Sequence, residues 1–352
     1  MRDSLGGQPT HERGALVAKS KAGGVEAYLI RGGVLVCTWL LALQGCAGGD
    51  VTAPEPRLVW SGVPSGTAQD LWDVWGSSAT DVWAVGSNGT IVHYDGTHWA
   101  RSLDSVSYFF RGVWGSGPTD IWAVGFCSLN NTAPVIFHYD GKGWARDASV
   151  ADTLPWPPLS DVWGTSASSV WAVGYGGWIS HFDGSRWTNA SVGPAFSSDR
   201  IWGTSATDAW TVGPGTVLHY DGIGWYSQSD SVLTARQLSG GWGARQDDQW
   251  AAGSTERAFL HFDGSSWSPV VPEDATSGFI YGMWGVTPSR IWAVSRTGSS
   301  GPGVGAIWQY NGTQWFIVAR DTVNLTGVWA SSGSDAWVVG DFGTVLHGTL
   351  TR

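Results

Sequence analysis

Residues Val74–Trp99, VWGSSATDVWAVGSNGTIVHYDGTHW, read as one complete four-stranded unit, and the rest of the chain repeats it. Val74-Trp75-Gly76 forms a short strand, and Ser77 to Asp81 is a turn of small polar residues. Val82-Trp83-Ala84-Val85 alternates with the two-residue period of a strand, which puts Trp83 and Val85 on one face. Ser87-Asn88-Gly89 interrupts the pattern and Ile91-Val92-His93-Tyr94 resumes it as a third strand. Asp95-Gly96 predicts a type I′ hairpin, whose two central residues need positive φ. Thr97-His98-Trp99 opens the fourth strand.

The unit recurs at Trp75, Trp114, Trp163, Trp202, Trp242, Trp284 and Trp329, at intervals of 39, 49, 39, 40, 42 and 45 residues. A period near 40 with four short strands per repeat predicts a β-propeller, not a helical solenoid. A second Trp follows each first one by eight residues, from Trp83 to Trp337. A third lies four residues beyond each hairpin Asp or Asn, at Trp99, Trp144, Trp187, Trp225, Trp267 and Trp315. The seventh unit lacks that last strand. Arg57-Leu58-Val59-Trp60 precedes Trp75 by the interval that separates Trp99 from Trp114, so residues 57–60 are expected to complete the seventh sheet. Closure of this kind removes the open sheet edge of a linear array. The expected fold is all-β: a seven-bladed propeller of four-stranded antiparallel blades over residues 57–352.

Turn lengths divide the loops into two classes. The turns joining strands one and two, and strands three and four, keep their length. Insertions fall between strands two and three or between successive blades, as at Phe126–Ala133, Ser295–Gly305 and Arg146–Ser160. Both variable classes emerge on one face, which makes that face, or the mouth of the central channel, the expected recognition surface.

Composition excludes several functions. Of 26 Trp, 20 occupy the three repeating positions, where flat rings between sheets can replace an aliphatic core. Trp72, Trp156, Trp178 and Trp308 fall outside that periodicity. From Ala47 onward the chain holds 14 Lys/Arg and 26 Asp/Glu, which argues against nucleic acid or an anionic membrane surface as partner. Cys37, Cys46 and Cys127 make neither a disulfide framework nor a metal cluster.

Histidine recurs in strand three, at His93, His138, His181, His219, His261 and His347, with Gln309 in the sixth unit. One per blade and far from the axis, these suit a polar ladder or an inter-blade hydrogen bond, not a metal belt. Asp81, Asp120, Asp208, Asp248 and Asp335 precede the second Trp by two residues, with Ser169 and Arg290 as replacements, and suit a turn-forming bond. Only Glu55, Glu256 and Glu273 follow the leader, and no nucleophile elbow, phosphate loop or metal-spaced triplet occurs. No catalytic residue, cofactor or metal is therefore expected. Arg101, Arg146, Arg200, Arg236 and Arg320 could hold a carboxylate, as in a sialidase-like hydrolase. The favoured role is non-catalytic recognition of a surface glycan or an envelope protein by a monomer, with an envelope-assembly scaffold as a further alternative. Aromatics available as binding platforms are Tyr108, Phe109, Trp156, Tyr175, Trp178, Phe196, Tyr226, Phe279 and Tyr281.

Three resemblances extend this reading. Residues 33–45, GVLVCTWLLALQG, form an apolar run too short to span a membrane but suited to a signal-peptide core. The run ends Leu43-Gln44-Gly45-Cys46, which resembles a bacterial lipobox. That resemblance implies removal of residues 1–45, acylation of Cys46, a tether over 46–56 and an outer-membrane address, with the lipid as the only membrane contact. An ordinary cleaved signal or a short anchor is the alternative. The segment VWAVGSNGTIVHYDGTHW resembles a tectonin-type repeat, which implies a propeller that often serves as a lectin for bacterial surface glycans. The Asp-Gly hairpin also resembles the Asp-box turn of sialidase-like propellers, and the signature of WD repeats is absent.

Overall fold

The computed structural model describes residues 57–104, 107–127, 133–147, 157–189, 196–230, 232–233, 236–253, 259–272, 278–297 and 304–350. The leader, Cys46, the tether, Trp156 and all three glutamates after the leader lie outside them.

Seven four-stranded antiparallel sheets form the protein. Blade one comprises Leu71–Ser78, Asp81–Gly86, Thr90–Tyr94 and Trp99–Asp104. Blade seven comprises Leu325–Ser332, Asp335–Gly340 and Val345–Leu350, and its fourth strand is Leu58–Gly62 from the other end of the chain. There Trp60 pairs with Gly348, in the sheet that contains Trp337. The ring is closed as the Trp spacing predicts.

Two sets of indole rings hold the blades together. In strand one, the Trp of five blades reaches the Gly that follows the equivalent Trp of the next blade; Trp202 instead lies against Gly241 and donates its Nε1–H to Gln249 Oε1 at 2.8 Å. A Cβ on Gly115 would meet Trp75 at 2.7 Å, one on Gly164 would meet Trp114 at 2.7 Å, and one on Gly76 would meet Trp329 at 2.7 Å. Close approach of ring to backbone thus fixes the Val-Trp-Gly order of the repeat. Blade seven carries Ala330 at this place, and there Trp284 donates its Nε1–H to the Ala330 carbonyl at 3.1 Å. Farther out, at six of the seven junctions, the strand-two Trp meets the strand-four Trp of the next blade edge to face. The centroids of Trp83 and Trp144 are 5.6 Å apart, those of Trp210 and Trp267 5.6 Å, and those of Trp337 and Trp99 5.4 Å across the closure. Such pairs add about 0.5–1.5 kcal/mol each beyond the area they bury.

The histidine column lies within each blade, not between blades, which corrects the inter-blade expectation. His93 Nε2 donates to Asp81 Oδ1 at 2.6 Å, and its ring stacks on Trp83 with centroids 3.9 Å apart. The cause is register: Trp83 and His93 face each other across the strand pair, and Asp81 lies two residues along on the same side. The same bond joins His138 to Asp120, His219 to Asp208, His261 to Asp248 and His347 to Asp335. Trp83 Nε1 also donates to Asp81 at 3.1 Å, and the Ser77 hydroxyl bonds the second carboxylate oxygen across the turn. Burial pushes Asp81 up, but the His93, Ser77 and Trp83 bonds outweigh it and hold the carboxyl below its usual range.

The hairpin also differs from expectation. Tyr94 pairs with Trp99, so the loop has four residues and Trp99 begins the strand. Only Gly96 has positive φ, at 91°. Asp95 acts through its side chain, accepting the Thr97 and His98 N–H groups on Oδ1 at 2.8 and 2.9 Å. The Thr97 hydroxyl, which donates to the same oxygen at 2.6 Å, and these two backbone bonds hold Asp95 well below the usual carboxylate range. Asn311 accepts the same two bonds in blade six, which explains its place in the Asp column.

Candidate functional site

The entry to the central channel is built from the residue three before each strand-one Trp. That residue is Trp72, Arg111, Ser160, Asp199, Ser239, Tyr281 and Thr326 in blades one to seven, a column of mixed chemistry in an otherwise regular strand. In six blades it is the extra residue of a β-bulge, as between Leu71 and Asp73 or between Ile280 and Gly282. A bulge takes one residue out of the ladder and re-aims its side chain. In blade four Asp199 precedes the strand and donates its N–H to the Val212 carbonyl at 2.7 Å. All seven side chains, with Tyr175 and Arg200, line a cavity of about 220 Å³. Strand one enters from the connection between blades, and Tyr175 belongs to a connection between strands two and three. The mouth therefore opens on the variable face.

The next column inward is Asp73, Gly112, Asp161, Arg200, Gly240, Gly282 and Gly327. Three blades thus place a charge where four have glycine. Asp73 Oδ2 accepts the Val113 N–H of blade two at 3.0 Å. Asp161 accepts the Val162 N–H at 2.9 Å and the Ile201 N–H of blade four at 2.8 Å, one on each oxygen. Arg200 Nη1 lies 3.8 Å from Asp161 Oδ1, and Arg200 Nε donates to the Tyr281 carbonyl at 3.1 Å. That reach passes blade five, whose residues there are Gly240 and Gly241. Burial pushes Asp161 up to about 7; Arg200 opposes the shift and Asp73 adds to it. Burial likewise raises Asp73 and Asp199.

These bonds decide what the carboxylates can do chemically. Both oxygens of Asp161 are taken by backbone N–H groups of two blades, and Asp73 is bound to its neighbour. They act as staples between adjacent sheets. A hydrolase needs an acid and a base free to face one substrate bond; among the described residues that line the mouth, Asp199 is the one carboxylate that accepts no hydrogen bond. Among the described residues no three His, Cys, Asp or Glu lie close enough to hold a metal ion.

Of the nine aromatic candidates, the structure brings Tyr175 and Tyr281 together at the mouth. Tyr108 packs on Phe137 with centroids 5.3 Å apart, and Phe109 stacks on Phe126 at 5.4 Å. Phe196 packs against an apolar cluster that includes Trp171 and Ile201. Trp178 and Phe279 are half-buried, and Tyr226 is exposed on the outer strand Trp225–Ser227. Among the arginines, Arg200 reaches the site. Arg101 contacts the Thr67 hydroxyl, Arg146 lies over Tyr108, Arg236 bonds the Val232 carbonyl, and Arg320 is exposed on the strand Trp315–Asp321.

Sequence reasoning missed Trp72 as a mouth residue, together with Arg111, Ser160 and Asp199. Arg111 lies over the Trp72 ring, 4.6 Å from its centroid, and Trp72 Nε1 donates to Ser87 Oγ at 3.0 Å. A column-by-column comparison three residues before each Trp would have found them. Phe342 is a further feature of the variable face: φ is 56° and the side chain is 72% exposed. Its backbone N–H is held by Asp70 Oδ1 at 2.9 Å, in a turn where blade one has Asn88 at φ 54° and blade three Gly176 at 65°.

No family model matches the chain, and no curated protein does. Among solved structures, the chain is similar to YCF48 bound to D1 peptide, with 17% identity and a TM-score of 0.63 over 84% of this chain and 99% of that one. It is similar to a streptogramin B lyase at 12% identity and a TM-score of 0.67, covering 84% and 98% of the two chains. The WD40 propeller domain of Doa1 matches at 13% and 0.63, over 84% and 98%. At these identities the likeness is one of fold.

Proposed function

We propose that this protein is a non-catalytic binding propeller that receives an extended segment of a partner protein at the channel mouth of its variable face. The supporting observation is the bulged column: every blade supplies one side chain to the mouth, and the blades differ in which one. A single cavity thereby offers aromatic walls from Trp72, Tyr175 and Tyr281, hydroxyls, and both signs of charge, the mixture that anchors a peptide side chain. The structure of YCF48 bound to D1 peptide is a precedent for a propeller of similar fold holding a peptide. A glycan remains the second reading, because the same aromatic walls suit a sugar ring.

Selection of random displayed peptides against the full chain, beside a glycan array, separates the two. The expected result is recovery of peptides whose binding is lost in Tyr281→Ala while the thermal unfolding temperature holds. Binding to glycans alone would sink the peptide reading.

The envelope address belongs to the same proposal: the propeller is carried on acylated Cys46 by the tether to residue 56. Mass spectrometry of the mature protein should show a chain that begins at Cys46 with acyl mass attached. An unmodified mature chain with another first residue removes the lipid anchor.

A further inference from the structure

Charge is unevenly satisfied at the mouth. Asp73, Asp161 and Asp199 bring three carboxylates to the two innermost columns, against the guanidinium groups of Arg111 and Arg200. Arg200 is committed to Asp161 and to the Tyr281 carbonyl, and Arg111 lies on the Trp72 ring. Asp73 and Asp161 are bonded to backbone N–H groups. The Asp199 carboxylate lines the cavity and feels the Arg200 and Arg111 charges, but it accepts no hydrogen bond from any described residue.

An independent observation marks the same space. Ser160 is 6% exposed and lines the cavity, yet its Oγ has no hydrogen-bond partner among the described residues. A buried hydroxyl left without a partner costs free energy, so its presence in a cavity that also holds an open carboxylate points to a donor that arrives from outside. The walls around it are aromatic: Tyr281 from blade six and Trp72 from blade one.

Resting on the reading of the mouth as a peptide site, we propose that its occupant is a lysine or arginine side chain of the partner segment. The cationic head sits over Asp199 and within reach of Ser160 Oγ, and the alkyl stem lies along the aromatic wall. An ammonium or guanidinium group brings several N–H donors and needs acceptors, which a carboxylate and a hydroxyl supply. Its positive charge offsets the one carboxylate in excess. An acidic side chain would bring a fourth carboxyl group to the two columns, against two guanidinium groups. A bare metal ion is disfavoured because Asp161 and Asp73 have their oxygens engaged with backbone N–H groups.

The test uses the peptides recovered on the full chain. Peptides enriched in Lys or Arg are expected, and Asp199→Asn should weaken the best of them by about tenfold or more. Replacing the basic residue of that peptide by norleucine should cost the same factor on the native protein and nothing further on Asp199→Asn, the coupling of a direct pair. Ser160→Ala, measured in parallel, should show a smaller loss with the same peptide preference, and serves if Asp199→Asn does not fold. Peptides enriched in Asp or Glu, or affinity indifferent to Asp199→Asn but lost in Tyr281→Ala, would overturn the cation seat and leave the mouth as the peptide site. Peptides indifferent to Tyr281, Asp199 and Ser160 alike would overturn both.

Discussion

The outer Trp–His–Asp set and the channel mouth are made by the same seven repeats and obey opposite rules. In five blades the outer set repeats atom for atom: a His Nε2 donates to an Asp carboxylate two residues before the Trp it stacks on. At the mouth the equivalent positions hold Trp, Arg, Ser, Asp, Ser, Tyr and Thr. Repetition is what a closed ring demands, since each sheet must offer the next the same surface. Divergence gives no benefit to closure; at the mouth it falls on the residue that in six blades a β-bulge withdraws from the ladder, and on the residue after it. The fold is carried by what the blades share and the site by the place where they stop sharing.

The sharpest way to break this contrast is to damage the shared set. Trp210 is 1% exposed, stacks on His219 with centroids 4.1 Å apart, meets Trp267 edge to face at 5.6 Å and donates to Asp208 at 3.0 Å. Trp210→Ala removes a filled volume, takes one of four donors from the Asp208 carboxylate and leaves the Trp267 ring without its edge contact. A loss of about 3–5 kcal/mol in unfolding free energy is expected. Denaturant titration of the full chain measures it. A change below about 1 kcal/mol would mean that the inter-blade rings do not carry the closure.

That asymmetry also explains what a reader of the sequence could and could not see. Blade number and closure were legible because indole rings between sheets force Trp to recur at fixed spacing, and Trp60 fits the interval of that series. The hairpin was placed correctly but for the wrong reason. Asp95 is selected by what its carboxylate accepts from Thr97 and His98, and positive φ is needed at Gly96 alone. The mouth was hidden for a structural reason. Strict alternation counted back from Trp75 gives the face of residue 72 only if the ladder is unbroken, and a bulge between Leu71 and Asp73 breaks it. Aligning repeats on their common residues also discards the columns where they differ. Arg200 drew notice as one arginine among several, while Asp161, its partner, and Ser160 beside it did not, since a lone Asp or Ser before a strand resembles turn chemistry.

The smallest expected effect lies at Ser160, and it sharpens the comparison most. Ser77 in the outer set shares its hydroxyl with Asp81, so its side chain contributes to the fold. Ser160 Oγ is buried and bonded to nothing among the described residues. Removing an unsatisfied buried hydroxyl lifts a desolvation penalty, so Ser160→Ala should leave the unfolding free energy unchanged or raise it by up to about 1 kcal/mol. Ser77→Ala, which leaves a carboxylate short of a donor, should instead lower it by about 0.5–1.5 kcal/mol. Thermal unfolding of both variants beside the native chain reads the difference in sign. Equal destabilisation by the two substitutions would show that the mouth hydroxyl is part of the scaffold, and that the divergent column is held by folding as firmly as the shared one.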